Sequence, residues 1–164
     1  MIISFSGTQS GMTHFQSEEL KKILNLKQCS EFAHGDCVGS DIEAAYIAVD
    51  MGINIFTVFP PDRFRRRAFF ADEKQITKHN GFLTPYIDVV VRGKNIKVRW
   101  MPVEPYLKRN VKMVDYSAML IATPKEFKHT IRSGTWATIR HAWKSKKDEV
   151  VIPPIERPEE NAFA

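Results

Sequence analysis

The sequence feature that most constrains this chain is a series of short, largely apolar runs, most of which stop at a glycine or a proline. The first run stops at Gly7, the second at Gly35 and the third at Pro60. Runs of this length bounded by turn residues are typical of buried strands. Five core strands are therefore predicted. They cover residues 2–6, 31–34, 53–59, 118–123 and 149–152.

Between these runs, apolar residues recur with the period of a helix. Over residues 13–27, Leu20 and Leu24 lie on one apolar face, between charged positions, as in an amphipathic helix. Strands that alternate with helices imply right-handed crossovers and a mostly parallel sheet covered on both faces. The predicted fold class is α/β, a Rossmann-like sheet of about five strands flanked by helices. Further helices are predicted over residues 41–51, 104–116 and 133–146.

The middle of the chain departs from this alternation. Two β-prone segments, 88–92 and 96–101, flank the turn sequence Gly93-Lys94-Asn95. We therefore predict a β-hairpin near residues 87–101, inserted into the α/β chain. The surrounding region, 62–103, adds to the minimal fold, which makes it the natural place for a lid or for a contact between copies of the chain in a homo-oligomer.

Length and composition bound the class of protein. A chain of 164 residues, 43% hydrophobic and 26% charged, is typical of one globular domain and excludes disordered and collagen-like classes. We predict a single domain over residues 1–152 and a peripheral, proline-rich tail over 153–164. The sequence has no apolar run of the roughly 20 residues that a membrane helix needs. Its first residues, MIISFSGTQSG, contain neither a basic segment nor a long apolar one, so we expect no signal peptide. Cys29 and Cys37 lack a zinc or redox spacing, so we expect a cytoplasmic protein without metal, cofactor or membrane partner.

The net charge of +5 is unevenly distributed along the chain. Residues 1–61 carry three basic and seven acidic side chains, whereas residues 62–152 carry twenty basic and nine acidic ones, a net charge of +11. A basic region of this size is compatible with a phosphate-bearing partner. Charge alone does not distinguish a small nucleotide from a polymer, or either of them from a solvated surface.

The loops that follow the predicted strands carry the residues expected to bind such a partner, because ligands of open parallel sheets bind beyond the carboxyl ends of the strands. Glycine and hydroxyl residues at the start of a helix offer backbone amides and side-chain donors to a phosphate. Gly7-Thr8 follows the first strand, and Ser133-Gly134-Thr135 opens the last helix with Arg132 beside it. Each loop alone is also compatible with an ordinary strand–helix turn and, at Asp41, with a helix N-cap.

Four segments follow one another in a recognisable order. They are Ser6-Gly7-Thr8, then His34-Gly35-Asp36 with Gly39-Ser40-Asp41 and Ala44-Ala45, then Arg109-Asn110 with Met113, and finally Ser133-Gly134-Thr135 with Ala142. This order resembles the SLOG superfamily of Rossmann-like proteins, which includes the Smf/DprA DNA-processing proteins and the LOG enzymes. The resemblance is greatest to DprA-like and small stand-alone YspA/YpsA-type members. It covers residues 2–152 and leaves 62–103 unmatched.

The resemblance implies a nucleotide-related ligand in the crevice over the strand ends. LOG enzymes carry a catalytic glutamate where this chain has Thr138, which puts hydrolysis in question. A substitute acid would come from Asp36, Asp41, Glu43 or Asp115, and the sequence does not choose among them. The predicted ligand- and phosphate-binding residues are Gly7, Thr8, Gly35, Gly39, Ser40, Asp41, Arg109, Asn110, Arg132, Ser133, Gly134 and Thr135.

Three functions follow from these observations. The main prediction is a protein that binds a nucleotide or nucleotide-derived small molecule, to sense or sequester it. One alternative is a nucleoside monophosphate N-glycosidase or phosphoribohydrolase, which needs a carboxylate near the anomeric carbon. The other is DprA-like binding of single-stranded DNA, with cations and aromatic rings from 63–70 and 92–100 on the backbone and the bases. Against this last alternative, the sequence favours a core-filling role for those aromatic residues.

Overall fold

The computed structural model describes residues 1–71 and 85–156. Residues 72–84 of the unmatched region and 157–164 of the predicted tail lie outside this range. The strands are β1 (Ile2–Gly7), β2 (Glu31–His34), β3 (Ile55–Val58), β4 (Ile87–Val91), β5 (Lys94–Trp100), β6 (Met119–Thr123) and β7 (Asp148–Val151). They form one sheet in the order β4-β5-β3-β2-β1-β6-β7. Only β4 and β5 pair antiparallel, so the mostly parallel α/β sheet predicted from the sequence is confirmed.

The sheet has seven strands rather than about five because the predicted hairpin joins it. β4 and β5 form that hairpin, and β5 continues the parallel sheet beside β3, with Phe56 opposite Val98. Ile96, Val98 and Trp100 lie on one face of β5 and are buried. The alternation of apolar and polar residues along β5 therefore drives it onto the core instead of leaving the hairpin as a separate insertion.

Four helices are found among the described residues: α1 (His14–Leu26), α2 (Ser40–Asp50), α3 (Tyr106–Tyr116) and α4 (Gly134–Lys144), with a 3₁₀ turn at Phe64–Arg66. None of them is long and apolar enough to span a membrane. α1 begins with a capping box, in which Thr13 Oγ1 accepts from the Gln16 backbone N–H and Gln16 Oε1 accepts from the Thr13 N–H. The Gln16 amide also donates to the carbonyls of Pro124 (2.9 Å) and Ile152 (3.0 Å).

The two faces of the sheet are covered by different helices. On one face Leu20 of α1 and Ala45 of α2 pack in a core with Phe5 of β1. On the other, Val114 of α3 and Ile139 of α4 pack with other strand residues, among them Leu120 of β6. β6 is buried along its whole length, as expected for a central strand whose residues are apolar on both sides.

The chain reverses its direction of progress across the sheet between β1 and β6. From β1 it moves outward through β2 and β3, and later it returns to add β6 and β7 on the other side of β1. At the carboxyl ends of this central pair Gly7 lies opposite Thr123, and the Thr8 N–H donates to the Thr123 carbonyl (3.2 Å). A topological switch of this kind leaves a crevice beyond the strand ends.

Candidate functional site

An open crevice of about 590 Å³ lies at this switch point. One wall is the loop after β1, and another is the loop after β6 together with the start of α4. The side facing them comes from the start of α3 and from Arg66, which follows β3. The residues that line it are Gly7, Thr8, Gln9, Arg66, Tyr106, Leu107, Glu126, Ile131, Arg132, Ser133, Gly134, Thr135, Ala137 and Arg140.

The start of α4 is fitted closely into this crevice. Ser133 is the N-cap, and its hydroxyl accepts a hydrogen bond from the Trp136 N–H (3.2 Å). The next residue packs closely against Tyr106, because a Cβ on Gly134 would lie 1.6 Å from the Tyr106 hydroxyl oxygen and the tyrosine side chain would have to move. The first backbone N–H groups of a helix have no partner within it, and they favour anions. The predicted phosphate-binding loop is therefore a capped helix N-terminus that lines the crevice.

Three arginines line the crevice together with this helix start. Arg132 is exposed and forms no ion pair with any other described residue. The guanidinium of Arg66 lies 5.7 Å from the ring centre of Tyr106. Arg140 donates to the carbonyls of Thr130 (3.3 Å) and Ile131 (3.2 Å), and this holds the loop that presents Arg132. The crevice thus concentrates positive charge around a helix N-terminus.

The loop after β1 is shaped by the start of α2. Ser40 donates through its hydroxyl (2.6 Å) and its backbone N–H (3.1 Å) to the Thr8 carbonyl. Gly39 has a φ of +91°, and a Cβ there would lie 2.1 Å from the Gln9 carbonyl oxygen. Gly39, not Ser40 or Asp41, is the N-cap of α2. The N-cap interpretation of Asp41 is therefore wrong: its carboxylate is buried and accepts from the Cys37 N–H (3.3 Å), and the Ser40 hydroxyl holds the first loop.

A second group of predicted residues lies beneath the crevice in what we call the closed cluster: His34, Gly35, Asp36, Asp41, Arg109 and Asn110. Arg109 is only 3% exposed. Its Nη1 donates to the carbonyls of Gly35 (2.5 Å) and Phe59 (3.3 Å). A Cβ on Gly35 would lie 1.8 Å from that nitrogen. The cavity lined by Asp41, Arg109 and Asn110 of this cluster is about 10 Å³, room for about one water molecule. The closed cluster has no space for a nucleotide.

Burial sets the protonation of the closed cluster. It raises the pKa of Asp41 to about 6, against the opposing pull of Arg109. It also raises the pKa of Asp36, opposed by the Phe70 N–H (2.8 Å) and by Arg67. Burial, and to a smaller extent the positive charge of Arg109, lower the pKa of His34 to about 3. His34 is therefore neutral near pH 7, and its Nδ1 accepts from the Asp36 N–H (3.1 Å).

The predicted acid candidates are not brought together around the crevice. Asp36 and Asp41 belong to the closed cluster. Glu43 accepts from the Met12 N–H (3.0 Å) and fixes the approach to α1. Asp115 lies on α3 and pairs with His141 of α4 (2.8 Å). None of these four lines the crevice, whereas Glu126, in the loop after β6, does.

The basic, aromatic segment after β3 divides between the core and the crevice. Phe70 and Trp100, two of the rings considered for base stacking, are buried in the core. Arg67 pairs with Asp36 (3.4 Å), which ties the segment to the loop after β2. This attachment leaves its neighbour Arg66 at the crevice. The other basic segment considered for DNA binding, residues 92–100, belongs to the β4–β5 hairpin at one edge of the sheet. There Arg92 pairs with Asp50 (2.8 Å).

Several residues that line the crevice are not among those predicted from the sequence. Ala137 and Arg140 follow Gly134 at intervals of three and therefore share its helix face, a signal that was present in the sequence. Tyr106 lies one helical turn before Asn110 and could be found in the same way. Glu126 and Ile131 lie in the irregular loop before α4, where no periodicity indicates which side chains face inward.

In the described part of the chain, no group of three or more His, Cys, Asp or Glu side chains could hold a metal ion. The two cysteines are free thiols, and Cys37 is buried with its pKa raised to about 12 by burial.

Comparison with known proteins shows a shared fold. No protein-family model and no curated protein matches the sequence. The chain is similar to a solved structure of DNA processing protein A from Helicobacter pylori, reported for its single-stranded DNA binding mode. The identity is 18% and the TM-score 0.57, and the match covers 96% of this chain but only 66% of that protein. At this identity the similarity shows the fold alone, and membership of the SLOG superfamily stays a prediction.

Proposed function

We propose that this chain binds single-stranded nucleic acid, with a backbone phosphate at the start of α4. The observation that carries the proposal is that Arg66 and Arg132 line the same open crevice as that helix N-terminus. Phosphate contacts from arginines and helix amides supply most of the affinity of such proteins. The predicted binding residues Gly7, Thr8, Arg132, Ser133, Gly134 and Thr135 all line this crevice.

Two further observations favour a strand over an enclosed small ligand. Leu107 and Ile131 line the crevice and remain 63% and 81% exposed, so apolar surface is available beside the phosphate site. Apolar and aromatic surfaces next to a basic groove suit unpaired bases. The fold is also shared with DNA processing protein A, whose structure was reported for single-stranded DNA binding.

A free nucleotide is the second candidate, and the volume of the crevice favours it. About 590 Å³ is within the range of roughly 300–1,000 Å³ that small-ligand sites occupy. Of the four acid candidates for hydrolysis, none lines the crevice, so we do not extend this proposal to cleavage of the N-glycosidic bond. Homo-oligomer formation and cytoplasmic location stay predictions.

The test is fluorescence anisotropy with a labelled oligonucleotide of about 12 thymidines, measured at about 50 mM and 200 mM salt. The affinity should fall with salt, and Arg132→Ala should reduce the slope of log K against log salt by about 0.7, the value for one lost phosphate contact on a single strand. Arg92→Ala is the matched control, because it removes the same charge at the far edge of the sheet.

Salt-independent binding, or equal losses in Arg132→Ala and Arg92→Ala, would overturn the proposal. A thermal shift with nucleoside monophosphates distinguishes the second candidate, since a ligand that binds only the folded state raises the melting temperature. If a monophosphate stabilises the protein and the oligonucleotide binds no more tightly than that monophosphate, the free nucleotide is the ligand.

A further inference from the structure

Three ring-bearing residues of α4 and of the loop before it form what we call the aromatic cluster: His129, Trp136 and Trp143. Trp143 is 46% exposed, and its ring centre lies 6.1 Å from that of the buried Trp136. The exposed His129 contacts both indoles, with ring centres 5.7 Å from Trp136 and 5.9 Å from Trp143. An exposed tryptophan held by other rings offers a flat apolar surface to a planar partner.

Arg140 joins the aromatic cluster to the crevice. It lines the crevice, and its Nη1 donates to His129 Nε2 (2.8 Å), since a guanidinium has no acceptor. On α4, Trp143 and Lys144 follow Arg140 by three and four residues, so both adjoin it on the helix surface. The side of α4 that lines the crevice therefore continues to the exposed indole of Trp143.

The ring of Trp143 is held in one orientation. Its Nε1 donates to Glu149 Oε1 (3.1 Å), and the rings of Trp136 and His129 pack against it. Because the indole has a single N–H donor and this donor is already bonded, the exposed part of the ring binds a partner through contact alone. A side chain that is already ordered loses little conformational entropy when a partner binds.

Exposed lysines flank the aromatic cluster in the chain. Lys128 precedes His129, and Lys144 and Lys146 follow Trp143. All three lysines are exposed and form no ion pair with any other described residue. Lysine is depleted at interfaces between proteins, whereas cations beside an exposed aromatic ring suit the phosphates and bases of a single strand.

We propose that Trp143 is the stacking platform for a base of the strand whose phosphate binds at the start of α4. This inference rests on the proposed function and extends the path of the strand from the crevice along α4. Trp143 follows Gly134 by nine residues, about 14 Å along the helix, which roughly four nucleotides cover at the spacing of stacked bases. Stacking on an aromatic ring tolerates any sequence, because every base has a flat face.

The experiment follows tryptophan fluorescence while oligonucleotides are added. The chain has three tryptophans, and Trp100 and Trp136 are only 1% and 5% exposed, so Trp143 is the indole that a strand can reach. Strands of about 12 thymidines or 12 adenosines should quench the emission as they bind, because a base stacked on an indole quenches it. An abasic strand of the same length keeps the phosphates, and it should bind in a salt-dependent manner without quenching.

Two substitutions of Trp143 separate stacking from the loss of apolar surface. Trp143→Leu removes the ring and should weaken binding of the thymidine strand roughly tenfold, within the range for one lost stacked base, with no change for the abasic strand. Trp143→Phe is the matched control, because it keeps a ring and should retain most of the affinity. Urea denaturation checks that both variants fold, and the quenching of the wild type tests the proposal without either of them.

The outcomes distinguish this inference from the proposed function. If no strand binds in a salt-dependent manner, both fail. If binding is salt-dependent but leaves the fluorescence unchanged, or if the abasic strand quenches as strongly as the thymidine strand, only the inference fails. It also fails if Trp143→Leu and Trp143→Phe bind the thymidine strand equally well. If Trp143→Leu instead dissociates an oligomer in analytical ultracentrifugation while its affinity for the strand holds, the ring belongs to a contact between copies of the chain and the inference is overturned.

Discussion

The open crevice and the closed cluster beneath it are built from the same types of residue, yet they do different things. Arg132 in the crevice is exposed and has no ion-pair partner among the described residues. Arg109 in the closed cluster is 3% exposed and bound to two backbone carbonyls. A guanidinium whose donors are already bonded inside the protein acts as a brace, whereas one left in solvent is available to a partner.

The contrast shows that residues predicted from one set of sequence motifs can stabilise the fold instead of lining the crevice. Arg109 joins the loops after β2 and β3 by donating to Gly35 and Phe59, and it packs against the Tyr106 ring (5.1 Å to its centre). The closed cluster thereby holds in place the loops that lie beneath the crevice. Substitutions should therefore distinguish the two regions. Those in the closed cluster should change the free energy of unfolding strongly, and those in the crevice only slightly.

The largest effect is expected for Arg109→Met. The substitution keeps much of the apolar stem but leaves the carbonyls of Gly35 and Phe59 without a donor, and Asp41 without its nearby positive charge. We expect the free energy of unfolding to fall by about 3–5 kcal/mol, the loss typical of a broken buried charge interaction. Urea denaturation measures it. A loss below about 1 kcal/mol would mean that the buried guanidinium is not a brace.

An intermediate effect is expected for the pH dependence that His34 contributes. Because burial lowers its pKa from 6.5 to about 3, the unfolded chain binds the proton more readily, and the stability that His34 contributes above pH 6.5 is lost as the pH falls through that range. From about pH 7 to about pH 5 the loss is about 2 kcal/mol. The stability difference between wild type and His34→Asn should shrink by this amount, as measured by denaturation at the two pH values.

The pH dependence of stability that Asp41 contributes has the opposite sign to that of His34, so Asp41 serves as the control. Its pKa is raised to about 6 by burial, so its contribution is present below 3.8 and is lost as the pH rises through 6. Comparison of wild type with Asp41→Asn should therefore show a difference that favours the wild type more at low pH. If both variants shift with pH in the same direction, the assignment of neutral His34 to the closed cluster is wrong.

The smallest effect on stability is expected for Arg132→Ala. Its side chain is exposed and makes no ion pair among the described residues, so the free energy of unfolding should change by less than about 0.5 kcal/mol. The same denaturation series measures it. A larger loss would place Arg132 with Arg109 as a structural residue and would end the contrast between the two regions.

The sequence was most informative where local chemistry determines the structure. Apolar runs ended by Gly7 and Gly35 located strands, and the hydroxyl–glycine pair Ser133-Gly134 located the start of α4 within one residue. The hairpin was also found from its turn. What was missed is its attachment beside β3, because strand neighbours depend on which surfaces of the chain meet rather than on the segment itself.

The site was predictable as a place but not as a set of contacts. The strand-end rule placed Thr8 and Thr135 near each other, and both line one crevice, although their predicted role in binding stays a prediction. It could not show that Arg109 and Asp41 lie below that crevice, because burial of a charged residue depends on tertiary packing. Glu126 went unnoticed for a related reason: an irregular loop has no period from which to read the direction of a side chain.

The side chain of Gln16 has a consequence for the order in which the molecule folds. Its amide joins the start of α1 to carbonyls 108 and 136 residues later in the chain, and the neighbouring Thr13 hydroxyl donates to Pro154 (2.5 Å), 141 residues away. Contacts of such high sequence separation slow folding, because long loops must close before they form. During synthesis the first helix can therefore gain its final anchorage only after the last strand has left the ribosome.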